Sequence, residues 1–296
     1  MKTTASDSSA SNGPRSRVFA ENVTIGYDKR TICHNVSVGI PDNSFTAIIG
    51  PNGCGKSTLL RGLARVLTPT TGKVLLDGRL LSQYKSKEIA RILGLLPQSS
   101  LAPDGIRVAD LVARGRAPHQ SLIQQWRESD ENTVRKALEA TRLKELSHRL
   151  VDELSGGQRQ RVWVAMLLAQ DTPIMLLDEP TTFLDIAHQY ELLDLFRQFH
   201  EDGKTIVTVL HDLNQAARYA NHLIVMRDGD IIRTGSPKQV ITAELISEVF
   251  GMEALIVPDP VTGTPTVVPL DARYPRRSIP ALHTASPASS AAVRGA

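Results

Sequence analysis

The chain has 296 residues, 41% of them hydrophobic, which is enough apolar material for a core in one large or two small domains and excludes disorder throughout. Its 34 basic and 31 acidic residues leave a net charge of +3, and only 4% are aromatic, so neither a polyanion partner nor a base-stacking nucleic-acid surface is implied. The two cysteines, Cys33 and Cys54, fit neither a zinc site nor a disulfide framework and suit a reducing compartment; no apolar run approaches the roughly 18 residues that span a bilayer.

The opening MKTTASDSSASNGPRSR has no apolar signal core and reads as a disordered tail over 1–16. RRSIPALHTASPASSAAVRGA reads the same way and places a second tail over 271–296, leaving a folded body over 17–270. Within that body RVFAENVTIGY, TICHNVSVGI and SFTAIIG alternate as three strands of one sheet, antiparallel at its start. A glycine-rich stretch follows, then a helical pattern, KSTLLRGLARVL, that stops at Pro69, and GKVLLDG as a further strand.

Strand signals vanish between about 99 and 161, where RVADLVARG and ENTVRKALEATRLKEL space their apolar residues by three and four, the pattern of a helical insertion. They return in PIMLLDEP, TIVTVLHD and HLIVMRDGDIIRTG around helical DIAHQYELLDLFRQFHEDG, as in a parallel α/β core. ALIVPDPVTGTPTVVPL reads as a small hairpin.

GPNGCGKST, comprising Gly50, Pro51, Asn52, Gly53, Cys54, Gly55, Lys56, Ser57 and Thr58, fits the phosphate-binding pattern G-x-x-x-x-G-K-[ST] between a predicted strand and a predicted helix. The glycines let backbone N–H groups turn inward on phosphates, Lys56 reaches the β and γ phosphates, and the Ser57 hydroxyl takes a Mg²⁺ position. Asp178, ending the apolar strand PIMLLD, delivers a carboxylate toward the same Mg²⁺. Alternation turns Glu179 to the opposite side of the strand end, where it can orient or deprotonate a water for in-line attack.

A second glycine loop, ELSGGQRQR, stands about a hundred residues downstream. With the phosphate loop, LLDEP, TTFLD and VLHD in this order and spacing, the chain resembles ABC transporter ATPases over nearly all of its folded length. The resemblance implies an α/β P-loop NTPase core with an N-terminal antiparallel β portion and a helical insertion. It implies a head-to-tail homodimer in which Ser155, Gly156, Gly157 and Gln158 of each copy close over the γ phosphate held by the other. It also makes Gln98 a contact to Mg²⁺ and the attacking water, His211 a contact to the γ phosphate, Asp185 a loop residue that crosses the dimer interface, and Tyr27 the platform on which adenine stacks.

The absence of a membrane span in the sequence leaves the permease to another polypeptide, an arrangement typical of bacterial importers; the resemblance implies a place on the cytoplasmic face of the membrane and a substrate-binding protein reached only through the permease. LVARGRAPHQSL, LDIAHQYELLDL, VLHDLNQAARYANHLIVMRDG and VPDPVTGTPTVVPL resemble ferric-siderophore importer ATPases of the ferric-enterobactin type; related importers carry cobalamin, haem or other iron chelates. The first of these segments lies where family members meet the permease, so Arg114 and Arg116 are expected at the surface. A soluble ABC ATPase of repair or translation would carry a paired cassette or a coiled-coil insertion, a P-loop kinase would not need LSGGQ, and a switch without turnover would not need Glu179 and His211.

Overall fold

This computed structural model describes residues 16–28, 30–99, 101–120 and 126–271. The two expected tails lie outside the described residues, except that Ser16 opens the first strand opposite Pro41 and Asp271 follows the last.

The elements in order are β1 (Ser16–Tyr27), β2 (Arg30–Pro41), β3 (Phe45–Ile49), α1 (Lys56–Leu63), β4 (Thr71–Leu76), β5 (Arg79–Leu80), α2 (Ser86–Ile92), β6 (Leu93–Leu96), α3 (Val108–Ala113), α4 (Glu128–Ala140), α5 (Gly156–Gln170), β7 (Ile174–Asp178), α6 (Ile186–Glu201), β8 (Thr205–Val209), α7 (Leu213–Tyr219), β9 (His222–Arg227), β10 (Asp230–Gly235), α8 (Pro237–Val240), α9 (Ala243–Phe250), β11 (Ala254–Pro258) and β12 (Pro265–Pro269). The three opening strands do not share one sheet. β1 and β2 join β4 and β5 in an antiparallel sheet of order β2-β1-β4-β5, whereas β3 lies inside a sheet of order β10-β9-β3-β8-β7-β6, parallel apart from its β10 edge. β11 and β12 form the predicted hairpin.

Every residue of β3, β7 and β8 is buried, and apolar side chains fill both faces, with Thr46, Thr205, Thr208 and Asp178 buried among them. Period two still sorts their side chains. Ala47, Ile49, Met175 and Leu177 face the helical layer with Val162 and Phe196, while Ile48, Ile174 and Leu176 face the antiparallel sheet with Val18, Ile25 and Leu59. At about 1.5–3 kcal/mol per fully buried large aliphatic side chain, these two layers hold the parallel sheet, and with it the strand ends that carry the site.

Three local outcomes differ from the sequence expectations. α1 ends at Leu63, well before Pro69, because Arg65 takes a left-handed φ of 60° and the chain turns there. RILGLL, without a clear strand signal, makes β6 directly after α2; Gly94 within it leaves room for α5, since a Cβ there would stand 2.4 Å from Leu167 Cδ1. Arg116 is not at the surface. It lies in a 3-10 turn over Arg114–His119, is 8% exposed, and its guanidinium bonds Asp130 Oδ1 and the carbonyl of Ala169, both at 2.8 Å. Arg114, two residues earlier, is exposed as expected.

Candidate nucleotide-binding site

β3 delivers the chain into the loop 50–55, and α1 begins immediately after it. Gly55 is the N-cap of α1 at φ 103°, a conformation that a side chain resists, and a Cβ there would press to 3.1 Å from Cys33 Sγ. The helix N-terminus and its orphan N–H groups therefore face the loop, the arrangement that binds phosphate. Lys56 folds back over the loop: its buried ammonium donates to the carbonyls of Gly50 and Pro51, each at 2.9 Å. Cys54 turns inward, and burial pushes both its thiol and that of Cys33 up, the latter to about 12.

Ser57 Oγ donates to Asp178 Oδ1 at 2.6 Å, so the hydroxyl and carboxylate proposed for one cation do stand together. Asp178 is fully buried; that burial holds its carboxyl above the usual range, and the bonds from Ser57 and Arg61 only partly oppose it. Two hard oxygen ligands beside a phosphate loop suit Mg²⁺, which keeps few protein ligands and completes its shell with phosphate oxygens and water. Among the described residues there is no group of three or more His, Cys, Asp or Glu that could hold a metal.

Glu179 lines the cleft beside the phosphate loop, and alternation along a strand does not account for its placement. β7 stops at Asp178 and Glu179 takes a φ of 53°, a left-handed conformation that costs a non-glycine residue energy and is held by its surroundings. Its carboxylate accepts from Gln98 Nε2 at 2.8 Å, Oε1 lies 2.7 Å from His211 Nε2, and Thr182 Oγ1 stands at 3.4 Å. Gln98 follows β6, His211 follows β8, and Glu179 follows β7, so three parallel strand ends bring three distant residues into one bonded set.

These side chains line a cleft of about 550 Å³ together with Tyr27, Asn52, Gly53, Lys56, Ser57 and Thr58. Tyr27 is 40% exposed at its mouth, and its hydroxyl accepts from Arg61 Nη1 at 2.9 Å. Gly50 and Pro51 line an adjoining hollow with Glu179 and His211. Ser155, Gly156, Gly157, Gln158 and Asp185 line neither. Ser155 instead caps α5, accepting from Gln158 N at 3.2 Å while Gln158 Oε1 accepts from Ser155 N at 3.0 Å, a reciprocal box that sets two exposed or half-exposed glycines at the helix start. Asp185 is exposed and caps α6 through the N–H of His188 at 3.0 Å; that bond and the His188 ring hold its carboxyl below the usual range.

Sequence reasoning missed Arg61, which bridges the Tyr27 hydroxyl and Asp178 (3.3 Å), and Arg30, which lines the cleft. Arg61 was within reach of a helical argument, since it stands four residues after Ser57 and shares its face of α1. It also missed Gln160, whose buried amide donates to the carbonyl of Pro180 at 3.1 Å and pins α5 to the loop after Glu179.

The ABC transporter family model matches residues 33–182. The ferric enterobactin transport ATP-binding protein FepC of Escherichia coli K12 is 56% identical over 260 residues, 88% of this chain and 96% of that protein. This chain belongs to the ABC transporter family. The petrobactin import ATP-binding protein FpuD of Bacillus anthracis is 49% identical over 250 residues, 84% of this ABC ATPase and 92% of its own length. A dimeric ATP-binding cassette, solved in a post-hydrolysis state with ADP and Pi, superposes with a TM-score of 0.67 at 28% identity, covering 74% of this chain and 98% of that one. The chain is thus an ATP-binding, ATP-hydrolysing family member, with the fold that its motifs imply.

Proposed function

We propose that this ABC ATPase powers a bacterial importer of iron(III)-siderophore complexes. It acts as a homodimer on separate integral-membrane permease subunits at the cytoplasmic face of the membrane, and meets the substrate-binding protein only through the permease. The observation that carries the catalytic part is the bonded set Gln98, Glu179 and His211 in the same cleft as Lys56 and Ser57. The cargo reading is supported by the 56% and 49% identities to proteins named for ferric enterobactin and petrobactin transport. No helix among the described residues is long and apolar enough to cross a membrane.

On this reading adenine stacks on Tyr27, and Lys56 exchanges the carbonyls of Gly50 and Pro51 for the β and γ phosphates. Ser57 and Asp178 would hold Mg²⁺, which would supply positive charge against the negative charge that develops in the reaction. Glu179 exchanges one of its present partners for a water, orients it in line with the γ phosphate and accepts its proton, while His211 and Gln98 keep the carboxylate and the water in place. Ser155, Gly156 and Gly157 of a second copy close the site from outside through a hydroxyl and helix-terminal N–H groups, and hydrolysis removes the phosphate that held the two copies together.

The test is transport. Co-purified with its permease and reconstituted in vesicles, the wild-type chain is expected to drive ATP-dependent accumulation of an iron(III) tris-catecholate and not of cobalamin or haem. Uptake of cobalamin or haem alone would displace the cargo reading, and hydrolysis without uptake of any of the three would displace the importer reading.

A further inference from the structure

His211 is followed by Asp212, whose carboxylate accepts the N–H groups of Asn214 (2.7 Å) and Gln215 (3.0 Å) and so fixes the start of α7 next to the histidine. Gln215, 4% exposed, donates from Nε2 to Gln189 Oε1 at 2.8 Å, and Gln189 Nε2 donates to the carbonyl of Leu184 at 3.1 Å. The direction of this chain follows from its end. A carbonyl can only accept, so Gln189 must turn its Nε2 to Leu184 and its Oε1 to Gln215. Leu184 in turn backs the glycine loop, its Cδ2 standing 3.2 Å from where a Cβ on Gly157 would lie. On the other side of α7, Asn214 holds β12 through Val267, with its Nδ2 donating to the carbonyl at 3.3 Å and its Oδ1 accepting the N–H at 2.8 Å. α7 is thus tied from both sides.

We propose that Gln215 and Gln189 are positioning residues for ATP hydrolysis. They keep the segment bearing His211, part of the chain's own cleft, in fixed relation to the loop that backs Gly157, part of the half-site offered to a second copy. Closure of the glycine loop on one nucleotide is thereby felt at the histidine of the other site. The inference rests on the proposed roles of His211 and of the glycine loop. Neither glutamine lines the cleft, so loss of either should leave nucleotide affinity alone and act on the chemical step.

Gln215→Glu keeps the shape and, assayed at a pH where its carboxyl is ionised, cannot donate to Gln189; the Gln189 amide must then turn its donor to the carboxylate, and Leu184 loses its bond. Gln189→Leu removes both bonds. With kcat expressed per ATP-binding site, so that partial unfolding does not enter, each variant is expected to lose on the order of 10-fold in kcat with KM for ATP within about two-fold. The double variant is expected to lose no more than the worse single one, because the bonds act as one unit. Gln215→Leu serves in place of Gln215→Glu if the buried carboxylate prevents folding. Wild-type kcat in the single variants, or losses that multiply in the double variant, overturn the relay when a parallel His211→Ala loses turnover; wild-type turnover in His211→Ala overturns both the relay and the role of the histidine.

Discussion

Glu179 is held in a left-handed backbone conformation with its carboxylate bonded to Gln98 and His211. Its neighbour Asp178 is fully buried against Ser57. One strand end therefore offers two carboxylates in different environments, one suited to a cation and one to a water. Glu179→Gln removes the proton acceptor and leaves the P-loop intact, so turnover should fall by on the order of 10² or more while ATP affinity, read by titration calorimetry, stays near wild type. Lys56→Ala should do the reverse at the binding step, weakening ATP affinity itself, because it deletes the charge proposed to meet the phosphates. Turnover of Glu179→Gln within a few fold of wild type would remove that residue from its role.

At the scale of elements, charge in a sequence does not say whether a residue is solvated. Arg114 and Arg116 look alike there, yet Arg116 turns inward because Asp130 on α4 and the last turn of α5 meet it. Its charge is matched inside the fold and is not offered to a partner. Arg116→Met strips Asp130 of its guanidinium partner within a packed site and should cost about 3 kcal/mol of stability, measured by urea unfolding. Burial pushes the Asp130 carboxyl up, but Arg116 and the N–H of Arg127 outweigh it and hold it below the unfolded value of 3.8. Their contribution is therefore complete above that value and is lost as pH falls through the lower folded-state value, so wild type and variant should converge in stability under acid. Exposed Arg114 remains a candidate for permease contact: Arg114→Glu should lower coupled uptake at nearly constant basal hydrolysis, and equal uptake would leave it a solvated cation.

The same scale explains what could be read in advance. The parallel strands were legible because they are short segments rich in apolar and β-branched residues, and the phosphate loop because its glycines and lysine stand at fixed spacing. β6 was not, since four residues around Gly94, abutting a helix, carry no period. The division of the first three strands between two sheets was also hidden, because alternation tells which face is buried and not which strand is the neighbour. Gln189 and Gln215 could not be paired from sequence at all; only the packing of α6 on α7 joins them.

At the scale of the whole molecule, one chain holds a nearly complete cleft and, away from it, a glycine loop whose helix terminus lines neither that cleft nor its neighbour. A site completed by a second copy accounts for both. The most direct measurement is ATP hydrolysis on mixing two inactive variants, Lys56→Ala, with a spoiled phosphate loop, and Ser155→Arg, with a blocked glycine loop. In a mixed dimer one site gathers both lesions and the other joins an intact phosphate loop to an intact glycine loop, so mixing should restore hydrolysis well above the sum of the two variants alone. If the glycine loop served its own chain, every site would stay damaged and the mixture would hydrolyse no faster than that sum.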